Sequence, residues 1–114
     1  MNDNSLINMK ELLEIMDDDK ELIKECFNEF INDASNMLER IKNAIESGDA
    51  AGLDSSAHKI KGSLRYLAAE KASGLAYGLE TMGKNGNLDK AAETFQSLES
   101  ECEKLKKVMA GYET

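Results

Sequence analysis

An all-α fold is what this sequence predicts: an antiparallel up-down-up-down four-helix bundle with a short extra helix at its N-terminus. Three observations predict it. Proline is absent from all 114 residues. Leu, Ala, Glu, Lys and Met are plentiful, against only three Tyr, three Phe and no Trp, and such residues lose little on entering a helix. Apolar positions recur at spacings of three and four, the period of one buried helix face.

The elements follow in chain order. Met9 to Met16 forms a short helix whose Leu12, Leu13, Ile15 and Met16 cover one end of the bundle. A spine helix runs from about 19 to 47 on the stripe Ile23, Cys26, Phe27, Phe30, Ile31, Ala34, Met37, Leu38, Ile41 and Ile45. Asp17 to Asp19 supply acidic caps at its start, and Gly48 stands where a C-terminal cap glycine belongs. Asp49 caps a second helix from about Ala50 to Leu67, and a third runs from about Glu70 to Met82 with Ala72, Leu75, Ala76 and Leu79 on one face. Gly83 and Gly86 mark a turn, after which Asn87 or Asp89 opens a fourth helix to about Met109, striped by Ala92, Phe95, Leu98, Cys102, Leu105 and Met109. Short connections between long helices make neighbours antiparallel. Gly74 and Gly78 sit inside the third helix, where each costs about 1 kcal/mol against alanine; a close approach of neighbouring backbone is the expected offset. Gly111 to Thr114 are expected to fray. The chain reads as one domain, 1–114, with its bundle core at about 19–110.

Composition excludes several functions. With 22 acids, 14 bases and a net charge of -8, the chain lacks the basic face that releases counterions from nucleic acid or anionic membrane. Two cysteines, Cys26 and Cys102, fall on apolar stripes and read as core packing, not as a disulfide scaffold. One histidine and two distant cysteines do not make a zinc site. The N-terminus lacks the basic start and apolar run of a signal peptide, and no stretch approaches the roughly 20 apolar residues of a membrane span. The expectation is a soluble, cytoplasmic monomer that binds neither nucleic acid nor membrane.

The chemistry concentrates in SSAHKIKGSLRYLA. Placed at about 100° per residue, Leu53, Ala57, Ile60, Leu64 and Leu67 cluster roughly 140° from His58, so His58 faces away from the core. Asp54 and Gly62 lie about 40° to either side of it, Lys61 about 60° away, and Arg65 about 20° away, two turns along. Taken singly, a surface histidine, solvated cations and a packing glycine are ordinary. Together they are not, because a glycine on the solvent face of a strong helix answers no core contact, while it opens room for another protein beside the imidazole. Lys61 and Arg65 would favour a doubly negative phosphoryl group on the ring. Neutral imidazole is a good nucleophile, so phosphoryl capture fits better than metal binding. Asp54 is a candidate to bond the other ring nitrogen, although a solvated acid is the plainer alternative. Because Lys61 is expected to face solvent, Lys61→Ala should slow transfer without unfolding the bundle.

Ala57-His58-Lys59-Ile60-Lys61-Gly62-Ser63 resembles the A-H-x-[LI]-K-G-S signature of histidine-containing phosphotransfer (HPt) domains. The likeness extends to Glu46-Ser47-Gly48-Asp49 at the end of the spine, Leu79-Glu80 on the third helix, and Gly86-Asn87-Leu88 before the last. Leu64, Arg65 and Tyr66 depart from the small residues and Asn usual after the serine. The resemblance implies a phosphorelay intermediate. His58 would take a phosphoryl group from the aspartate of one receiver domain and pass it to another, with Lys61 and Arg65 stabilising it and Gly62 opening the approach. It also implies receiver domains and a hybrid sensor histidine kinase as partners, and no cofactor of its own. There is no nucleotide loop and no acidic cluster beside His58, so magnesium belongs to the partner receiver. Three rivals stay open: the phosphotransfer domain of a chemotaxis-type kinase, a bundle that docks receivers without accepting phosphate, and a structural adaptor with an incidental histidine.

The net charge conceals a local reversal. From Ser55 to Ala69 there are three bases and no acids, so this stretch is +3 and the remainder -11. The basic island surrounds the only histidine.

Overall fold

The computed structural model describes residues 6–112 and has, among them, five helices: α1 Met9–Ile15, α2 Lys20–Ser47, α3 Ala50–Tyr66, α4 Glu70–Asn85 and α5 Ala91–Ala110. Packing runs α2 on α3, α3 on α4, α4 on α5 and α5 back on α2, which closes a four-helix ring, and the α3–α4 contact is the most extensive. The 28 residues of α2 account for the long axis of the molecule, 42 Å against 25 and 21 Å across. No described helix is long and apolar enough to cross a membrane.

Local chemistry sets the helix ends. Asn8 Oδ1 accepts from Glu11 N at 3.1 Å, Asp19 Oδ1 from Leu22 N at 3.0 Å, and Asp49 Oδ1 from Gly52 N at 2.9 Å, each meeting one orphan donor of a first turn. Gly48 ends α2 at φ 69°, and Gly86 ends α4 at φ 71°. Thus α4 runs one turn beyond the expected Met82, because Gly86 and not Gly83 adopts the left-handed cap. The last helix starts at Ala91, with Lys90 and neither Asn87 nor Asp89 at its N-cap. The Asn87 side chain instead accepts from Asp89 N at 3.2 Å and holds a turn ahead of it.

The core follows the predicted stripes, with local exceptions. Leu12 and Met16 are buried, but Ile15 is 39 % exposed, since α1 ends there and turns through Asp17 and Asp18 at positive φ. Ala91, not Ala92, is buried in α5. Cys102 is fully buried, whereas Cys26 is only half-buried at the edge of the α2 stripe. Gly111 and Tyr112 do not hang free: Gly111 N donates to Lys107 and Val108 carbonyls, and Tyr112 meets Phe27 edge-on with ring centroids 5.2 Å apart. Residues 113 and 114 of the expected frayed end, like residues 1–5, lie outside the described ones.

The glycines of α4 correct the sequence reading most sharply. A Cβ on Gly74 or Gly78 would meet nothing within 4 Å, so no backbone approaches either. The close approach is at Gly83, where a Cβ would lie 2.5 Å from Asp54 N and 2.7 Å from Ala50 O. That contact sets how α4 lies on the first turns of α3.

Candidate functional site

His58 projects from the outer face of α3 with its side chain 67 % exposed, while Leu53, Ala57, Ile60 and Leu64 on the opposite face are 0 % exposed. Its ring is tethered on one side only. His58 Nδ1 lies 2.8 Å from Oε2 of Glu80, a residue of α4 whose side chain is 5 % exposed. An ionised carboxylate only accepts hydrogen bonds, which assigns the ring proton to Nδ1 and leaves a lone pair on Nε2. Among the described residues nothing hydrogen-bonds to Nε2.

Glu80 gathers the cations of the site. Lys61 Nζ lies 2.6 Å from its Oε1 and Lys84 Nζ 3.7 Å from its Oε2. Oε1 is buried and has no other polar partner among the described residues, so the Lys61 ammonium is what neutralises it. Lys61, and then His58, hold the Glu80 carboxyl below the ordinary carboxylate range against the opposing effect of burial.

The structure places the sequence-predicted residues as follows. Asp54 does not orient the ring: its carboxylate turns from α3 toward α4, where Lys84 Nζ lies 3.2 and 3.3 Å from its two oxygens. The Asp54 carboxylate in turn raises the Lys84 ammonium above the ordinary lysine range. Glu80 holds Nδ1 instead, because α4 packs beside that flank of α3 and brings a buried acceptor to the ring. Lys61 is not a solvent-facing cation. Its side chain is 13 % exposed, between Glu80 and the Tyr77 ring, whose centroid is 5.3 Å away. Lys61→Ala therefore does more than the sequence reading expected. Stripping a buried carboxylate of its main partner costs 3–5 kcal/mol in fully buried pairs; His58 and Lys84 still face Glu80, so about 2 kcal/mol is expected here, measured as a lower urea midpoint at unchanged m-value.

Arg65 is exposed and makes no ion pair among the described residues. Gly62 is exposed too, and a Cβ there would meet nothing within 4 Å; neither packing nor backbone conformation calls for a glycine at that position. On the flank away from Glu80, α2 and α3 enclose a groove of about 500 Å³, with Phe30, Met37 and Leu67 among its lining residues, Lys59 and Tyr66 contributed by α3, and Asp33 by α2. Tyr66 and Tyr77, 50 % and 57 % exposed, are the large rings open to solvent. No three described His, Cys, Asp or Glu residues converge as a metal-ligand set.

The sequence reading quoted Glu80 only as part of the likeness and gave it no role, and it missed Lys84. A signal for Glu80 was present, because it falls on the buried stripe of Ala72, Ala76, Leu79 and Gly83, where an acid needs partners. Lys84 carried no signal beyond its spacing, one turn after Glu80.

The chain has relatives in sequence and in fold. The chain is 27% identical over 101 residues to the phosphorelay intermediate protein rdeA of Dictyostelium discoideum, covering 89% of this chain and 40% of that protein, so it spans well under half of that relative's length. It is 30% identical over 105 residues to histidine-containing phosphotransfer protein 4 of Arabidopsis thaliana, covering 90% of this chain and 83% of that one. The crystal structure of histidine-containing phosphotransfer protein B (HptB) from Pseudomonas aeruginosa PAO1 matches the fold with a TM-score of 0.78 at 24% identity, over 96% of this chain and 90% of that chain. The Hpt domain model matches residues 25–108, from the first half of α2 to the last turns of α5. This chain belongs to the Hpt domain family.

Proposed function

We propose that this protein is a phosphorelay phosphocarrier that accepts a phosphoryl group on His58 Nε2 from a receiver-domain aspartate and returns it to the aspartate of another receiver. The observation that carries the reading is the one-sided tether of the ring: Nδ1 on a buried carboxylate, Nε2 toward solvent. In the forward step the Nε2 lone pair attacks phosphorus in line, the N–P bond forms as the P–O bond breaks, and the electron pair leaves on the donor aspartate. The Nδ1 proton stays in place, so the ring becomes cationic, and Glu80 stabilises that charge. The reverse step runs through the same arrangement.

Other residues take supporting parts in this reading. Arg65 supplies an exposed cation, Lys61 a positive charge beneath the site, and Gly62 room for the partner's loop. The α2–α3 groove beside His58 offers an apolar floor with a charged rim, the make-up of a transient docking surface. Receiver domains and a hybrid sensor kinase are the partners we infer. Magnesium enters with the receiver; the carrier itself is neither kinase nor hydrolase. Cytoplasmic location and monomeric action complete the proposal, and the burial of the α2 stripe within its own bundle supports the latter.

Incubation with a panel of radiolabelled phospho-receivers tests it. The expected result is a label on this protein that is lost in acid, survives base, and maps to His58 as an Nε2 phosphoramidate. A protein that stays unlabelled by every receiver able to charge another Hpt domain would sink the proposal.

A further inference from the structure

Two lysines of the site are held very differently. Lys61 is 13 % exposed, against a buried carboxylate and under an aromatic ring, so it is a fixed charge. Lys84 is 58 % exposed at the rim. Its ammonium and His58 Nδ1 address the same oxygen, Glu80 Oε2, at 3.7 and 2.8 Å. The stronger hold on it is Asp54, which stands one turn before His58 on the same face of α3, with a side chain 30 % exposed.

We infer that Lys84 is a mobile cation that closes onto the phosphoryl group of His58, and that Asp54 is the carboxylate that retains it while the histidine is unmodified. The inference rests on the acceptor role proposed for His58. Exposed ion pairs are weak because solvent screens them and both side chains lose freedom in forming them. A phosphoryl group on Nε2 brings up to two negative charges and three acceptor oxygens to the same rim, against the single charge of Asp54. The flexible four-carbon stem of lysine lets the ammonium exchange one partner for the other without moving α4. The remaining charges near His58 do not duplicate this arrangement: Glu80 immobilises Lys61, Lys59 lies about a quarter-turn round α3 beside the groove, and Arg65 stands two turns along.

Phosphoramidate tests the inference without any receiver. Its P–N bond breaks as Nε2 of His58 bonds to phosphorus, and the nitrogen departs as ammonia. Lys84→Ala is expected to slow labelling about tenfold, less than the loss of a fully enclosed donor because Lys84 is solvated, and to shorten the phosphohistidine lifetime. Asp54→Asn, which frees the ammonium, should move both quantities the opposite way by several-fold, and Lys84→Arg should retain most of the wild-type rate. Circular dichroism checks that all three variants keep the bundle. Labelling of Lys84→Ala at the wild-type rate, or an Asp54→Asn effect in the same direction as Lys84→Ala, overturns the role of Lys84 while the acceptor reading stands. A wild-type protein left unlabelled at His58 overturns both.

Discussion

Phosphoryl uptake is expected to fall to background in His58→Gln, with the bundle intact. The glutamine amide nitrogen has its lone pair delocalised into the carbonyl, so it cannot attack phosphorus, and the chain holds no second histidine to take over. Glutamine can still donate to Glu80 and leave that buried carboxylate served. His58 is 67 % exposed, and surface substitutions of this kind shift stability by about 0.5 kcal/mol or less. The measurement pairs label transfer from a phospho-receiver with thermal unfolding. A labelled His58→Gln protein would place the acceptor elsewhere, and an unlabelled but unfolded one would say nothing about chemistry, which is why both readouts are needed.

Gly83→Ala is expected to be the most damaging single-methyl change in the site's framework. The added carbon would lie 2.5 Å from Asp54 N, 2.7 Å from Ala50 O and 2.9 Å from Asp54 Cα. All three are backbone atoms, so no side chain can swing aside and α4 must lift off α3. Overpacking of this kind costs about 1–3 kcal/mol or more, while alanine returns about 1 kcal/mol of helix propensity. A net loss of about 1–2 kcal/mol follows, with a melting temperature lower by about 4–8 °C. Glu80 and Lys84 flank Gly83 on α4, so the same displacement draws both away from α3, and phosphoryl uptake should fall together with stability. Gly74→Ala and Gly78→Ala provide the contrast. With nothing within 4 Å of either position, each should stabilise the protein by about 0.5–1 kcal/mol. Equal effects at all three glycines would mean that the α3–α4 contact is misplaced.

The fold was legible because helix periodicity is local. The stripe in α2, its Asp19 and Gly48 caps, and the burial of Leu53, Ile60 and Leu64 opposite His58 all follow from spacings of three and four. The exposed histidine was legible for the same reason. Its partner was not, since whether residue 80 meets residue 58 depends on the register of two helices, and that register is set by Gly83 seating against Ala50 and Asp54. The expectation for Asp54 failed on this point: it considered only neighbours on α3. Acids falling on apolar stripes were the overlooked clue. Glu101, on the α5 stripe beside Leu98 and Cys102, repeats the pattern, buried with Lys71 and Lys104 at 3.4 and 3.5 Å.

Cys102, packed at the centre of the α5 stripe, has a consequence in redox terms. Burial pushes its thiol up to about 12, so almost no thiolate exists near neutral pH, and thiolate is the form that attacks disulfides and reacts with oxidants. Cys26 is shifted in the same direction, first by burial and then by Glu29 and Glu25. Both sulfurs are protected by protonation, and the nucleophile left open to solvent is the nitrogen of His58.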